Sequence, residues 1–146
     1  MSPIAFDNAL LRIYFFYASL LGVKMLAMSV LTALQRFKTK TFANPEDCHM
    51  HKVKVSHNES VERVRRAHLN DLENIPIFLL ISLGYLSTGP SYDLALYLFR
   101  AFALGRFLHT FVYAIVVIPQ PARVLSWSVG YVVTIYMAVS TLITLL

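Results

Sequence analysis

The segment 61–74, VERVRRAHLNDLEN, is densely charged, yet it runs without a break into the apolar IPIFLLISL of 75–83. No other stretch restricts the fold as much. On a helix Arg66, Asn70 and Glu73 stand at i, i+4 and i+7 and share one narrow face. Burying unpaired charge is costly. A polar stripe leading into an apolar helix therefore has to face other helices and a polar ligand, while the remaining faces meet lipid. The plainer alternative is a solvated helix end that merely introduces a membrane span.

Composition puts the stripe in a membrane. Of 146 residues, 57% are apolar and 14% charged, and the mean hydropathy is +0.58. An ordinary soluble domain is about a quarter charged. The length fits one domain. A net charge of +5 is compatible with nucleic acid, but its distribution is not. Arg36, Lys38, Lys40, Lys52, Lys54, Arg63, Arg65 and Arg66 fall in one polar segment and the helix start after it, which is positive-inside topology, so no nucleic-acid partner is expected. The single cysteine, Cys48, excludes an intramolecular disulfide framework. It has no Cys or His partners at metal spacing, so no metal is expected. The apolar run from Ala9 to Leu34 is too long for a cleaved signal and reads as the first span.

Hydropathy predicts an all-α integral membrane four-helix bundle with spans at 9–34, 61–86, 92–117 and 122–146 and a polar loop at 37–59. Lys24 lies inside the first span, where an unpaired ammonium costs about 3 kcal/mol, so it should meet a partner from another helix. Asn44 before Pro45 predicts a turn. Ser56 and Glu59 have capping-box spacing, and Asn58 and Ser60 are alternative caps for the second long helix. Pro76 should kink that helix just beyond Glu73. In the third span Arg106, His109 and Tyr113 recur at i, i+3 and i+7, and three polar groups on one face favour a functional interior over a satisfied core. With four spans, the basic loop and the turn at 119–121 share the cytosolic side. Arg36, the 63–73 segment, Tyr113 and Arg123 then converge there, with Asp47, Asp71 and Glu73 as counter-charges. Such a site suits a small zwitterionic or anionic ligand from the cytosol, beside a lipid-facing surface that admits an apolar co-substrate. It would also lower the pKa of a bound thiol from ~8.5.

Three blocks are specific: FANPEDC at 42–48, ERVRRAHLNDLEN at 62–74 and PQPAR at 119–123. They closely resemble the MAPEG family of membrane glutathione enzymes, and the likeness runs from Phe42 to about Tyr131. It implies a four-helix protomer, a homotrimer, and glutathione held between neighbouring protomers on the cytosolic side. The endoplasmic reticulum is the implied membrane, with the mitochondrial outer membrane as the alternative. Position by position, Arg36, Arg66, Asn70, Glu73, His109, Tyr113 and Arg123 match family glutathione contacts. Arg65 and His68 match further positions of the transferase branch. Arg123 is implied near the glutathione sulfur, with Asp47 and Tyr113 as its catalytic companions. Leu69, Val124 and Trp127 stand where the prostaglandin E synthase branch carries Arg, Ser and Tyr, and each departure leans toward the transferases. The expected activity is conjugation of lipophilic electrophiles, or reduction of lipid hydroperoxides, by glutathione thiolate. A glutathione-dependent prostaglandin E synthase is the alternative, and a lipid-binding membrane partner without turnover is the second.

Overall fold

The computed structural model describes residues 8–146. Helix α1 (Ala9–Thr39) starts where the Asn8 side chain accepts hydrogen bonds from the Leu10 and Leu11 amides. It ends at Lys40, whose left-handed backbone lets the capping N–H reach back to Arg36 and Phe37. Helix α3 (Glu59–Ser87) uses Asn58 as its cap, accepting from the Ser60 amide at 2.9 Å, and continues through Pro76 without a break. Helix α4 (Tyr92–Thr110) follows a turn in which Gly89 takes a positive φ of 70°. It passes into a π-helical turn (Phe111–Ile115), and helix α5 (Ala122–Leu145) closes the chain.

Two expectations need correction. The segment 37–59 is not loop throughout: helix α2 (Pro45–His51) occupies its middle, and Ser56 donates its backbone N–H to Phe42 instead of capping α3. Pro45 in the first turn has no amide to lose, and Glu46 and Asp47 favour the positive end of the helix. Cys48, the buried residue of α2, donates to the Phe42 carbonyl. The helical stretch beginning at Tyr92 ends with the π turn at Ile115, and Val116 is extended.

Among the described residues, three helical stretches are long and apolar enough to cross a membrane: Ala9–Thr39, Tyr92–Ile115 and Ala122–Leu145. Helix α3 is the polar member and packs against α1, α4, α5 and the π turn. An aromatic core joins them, with Phe78 stacked on Phe102 at 3.6 Å between centroids and Phe99 edge-on to Phe78 at 5.2 Å. The largest wholly buried side chain is nevertheless Arg106. Its Nη2 and Nε donate to Asp71 Oδ1 at 2.6 and 3.1 Å, and Lys24 pairs with Asp71 Oδ2 while donating to Thr110 at 2.6 Å. The partner that Lys24 requires is thus an acid on α3 and a hydroxyl on α4.

Helices α4 and α5 come close together at Gly105. A Cβ there would lie 3.1 Å from the Ser126 carbonyl oxygen and 3.2 Å from Val129 Cβ, a small-residue contact of the kind that joins membrane helices. Gly105→Val should push the helices apart and destabilise by about 1–3 kcal/mol. A thermal melt in detergent measures it, and an unchanged midpoint would mean that this contact contributes nothing.

Candidate functional site

Helix α3 presents Arg66, Asn70 and Glu73 on the face predicted from their spacing. The end of α4 adds His109, the π turn adds Tyr113, and the start of α5 adds Arg123. All six line one cavity of about 370 Å³, closed further by Leu69, Gln120, Val124 and Trp127. That size lies in the usual range for small-molecule sites, ~300–1,000 Å³.

Tyr113 is the hub of the cavity. Arg66 Nε donates to its hydroxyl at 3.2 Å, and the Arg123 guanidinium lies 4.7 Å from its ring centroid. Arg63 approaches the same ring at 5.8 Å, and the His109 ring lies 5.6 Å away. A π turn carries Tyr113, and such turns recur at functional positions because they shift side chains out of helical register. Arg66 is balanced by Glu59, two turns earlier on α3, not by Glu73. Glu73 is the one carboxylate among the cavity-lining residues. His109 is buried, and its Nδ1 has no hydrogen-bond partner among the described residues.

Arg36, Asp47, Arg65 and His68 go elsewhere. They line a second cavity of about 630 Å³ between α1, α2 and α3, which shares only Arg66 and Leu69 with the first. Within one chain Asp47 therefore does not stand beside Arg123; its Oδ2 accepts from the Asn44 side chain at 3.2 Å. Asp71, expected as a counter-charge of the site, is fully buried and committed to Lys24 and Arg106. Arg106 likewise serves the core and not the cavity wall, although its Nη2 also donates to Asn70 Oδ1 at 2.8 Å. Sequence reasoning placed the 63–73 segment at the site but missed Glu59 as the partner of Arg66. Glu59 lies seven residues before Arg66, so the spacing puts both on one helical face, and their long side chains close the two turns between them. Among the described residues no group of three His, Cys, Asp or Glu is placed to hold a metal ion.

Fold and cavity together define an integral membrane helical protein with a cationic cavity at one end, assembled from three helices and a π turn. The chain belongs to the MAPEG family, whose model matches residues 14–143. It is 49% identical to microsomal glutathione S-transferase 1 of Mus musculus, covering 90% of this chain and 88% of that one. Identity to the Homo sapiens protein of the same name is 45% over the same shares. Prostaglandin E synthase of Equus caballus is 40% identical over 77% of this chain and 74% of its own length.

Proposed function

We propose that the protein is a membrane glutathione transferase, also reducing lipid hydroperoxides, with glutathione held in the cavity around Tyr113. The observation that carries this is the gathering of Arg66, Asn70, Glu73, His109, Tyr113 and Arg123 along one cavity. Glutathione offers two carboxylates, an ammonium and a thiol. Arginine forks match carboxylates, and Glu73 suits the ammonium. Arg123 is left for the sulfur, with Tyr113 holding its guanidinium. Leaving the buried His109 Nδ1 unpaired costs about 1–3 kcal/mol, which a polar ligand would relieve. Leu69 and Val124 are exposed apolar residues on the rim, and through them the electrophile enters from lipid.

All four long helices cross the membrane in this reading, with the cavity toward the cytosol and the reticulum as the resident membrane. The protomers form a homotrimer. Arg36, Asp47, Arg65 and His68 line a separate cavity in one chain. A neighbouring copy that sets its Arg36 side against the Arg123 side of the first would join the two halves into one site.

Titrating purified protein with glutathione while following thiolate absorbance tests the reading. A saturable thiolate signal and conjugate formation are expected. Saturable binding with neither would leave a binding protein without turnover. Glutathione-dependent isomerisation of a prostaglandin endoperoxide is the second reading, favoured by the 40% identity to prostaglandin E synthase. Product analysis separates the two: a conjugate or alcohol in the first, a keto-alcohol isomer in the second.

A further inference from the structure

Helices α1 and α4 run in the same direction, because their first turns share one cleft, and the middle of α1, from Leu20 to Leu31, shares another with the last turn of α4 and the π turn. The first cleft, about 500 Å³, opens at the end of the bundle remote from Tyr113 and is lined by Arg12, Ile13, Phe16, Tyr92, Leu96 and Arg100 among others. Lys24, Arg63, Arg65, Arg66 and Arg106 each meet a carboxylate. Arg12 and Arg100 do not: among the described residues neither side chain has an ion-pair or hydrogen-bond partner. The acid nearest along α4, Asp93, stands two turns before Arg100 on the same face and pairs with neither.

Arg100 lies eight residues into α4, about 12 Å along its axis, with Leu96 and Phe16 as neighbours in the cleft. A guanidinium at such depth costs up to ~3 kcal/mol unless it reaches water or an anion. Side chains on a helix lean toward its N-terminus, and both helices begin at this end. Both guanidiniums therefore rise along apolar walls toward one membrane interface. Two planar forks without counter-charge, above an apolar floor, match a phosphate that carries acyl chains.

We propose that this cleft binds an anionic phospholipid, with its phosphate between Arg12 and Arg100 and an acyl chain along Ile13, Phe16 and Leu96. Delipidated full-length protein in neutral detergent is titrated with phosphatidylglycerol, phosphatidylcholine or inorganic phosphate. Native mass spectrometry reads the lipid retained, and a melt reads stability. Phosphatidylglycerol should be retained and raise Tm, whereas the other two should do neither. Arg12→Gln and Arg100→Gln should each weaken retention about fivefold, and the double variant about 25-fold. The lysine variants should keep most of it, and lipid-free Tm should stay at the wild-type value throughout. Equal retention of phosphatidylcholine would remove the headgroup from the proposal. The same Tm shift with phosphate alone would make this a soluble-anion site. Undiminished phosphatidylglycerol binding by the double variant would place the lipid elsewhere, and any of the three overturns the proposal.

Discussion

Asp71→Asn is expected to leave little folded protein. One wholly buried carboxylate receives Lys24 from α1 and two bonds of Arg106 from α4, so it ties three helices together. Two cations already share one anion in this core. Removing the anion leaves both uncompensated, and breaking one buried pair costs about 3–5 kcal/mol. Total stabilities are about 5–15 kcal/mol, so the loss is of the same order as the whole. Lys24→Met should behave in the opposite way, because it removes the excess charge and leaves Asp71 and Arg106 as a balanced pair. Melts in detergent and the monodisperse fraction after purification measure both variants. A Asp71→Asn protein melting like wild type would show that the ion cluster does not hold the helices. Any surviving fraction should bind glutathione weakly, since Arg106 also donates to the Asn70 side-chain oxygen Oδ1 and anchors it in the cavity.

Asp71 also shows where the sequence stops being informative. Five residues after Arg66, it stands about 140° round the helix. That places it with Val64, Ala67, Ile75 and Phe78, all buried. Its separation from the ligand face was therefore legible in the spacing, and grouping it with Glu73 by charge alone was the mistake. The need of Lys24 for a partner was legible too, because a lone ammonium in a span is untenable. Which acid answers it was not, since that depends on how α1 lies against α3. The same limit explains Arg36 and Asp47. Helical periodicity tells which residues share a face but not which neighbouring helix that face meets, so one convergent site was read where a single chain forms two cavities. The three helical stretches apolar enough to cross a membrane were legible in hydropathy because their apolar runs are long. Helix α2, with seven residues, has no comparable signal beyond Pro45 and the two acids behind it.

Arg123→Ala should lower glutathione-conjugating kcat/KM by about thirtyfold at pH 7, while the size-exclusion profile stays that of the wild type. A cysteine-type thiol with pKa ~8.5 is only about 3% ionised at that pH. A permanent cation about 4 Å away, at an effective dielectric near 20, favours the thiolate by up to ~4 kcal/mol, and one pKa unit is about 1.4 kcal/mol. Ionisation would then be nearly complete in the wild type, and the lost factor is the ratio of the two fractions. The geometry supports a fixed charge: the guanidinium lies 4.7 Å from the Tyr113 ring centroid, and Arg66 holds the Tyr113 hydroxyl from the other direction along the chain. The pH profile distinguishes this role from a loss of shape. Thiolate is the reactive form, so the alanine variant should gain rate as pH rises toward ~8.5, whereas the wild type should already be level there. Arg123→Lys should fall between them, keeping the charge but losing the planar contact with the ring. If the alanine variant shows the wild-type thiolate absorbance on glutathione titration, the sulfur is ionised by another group, and Tyr113 with its Arg66 hydrogen bond is the next to replace.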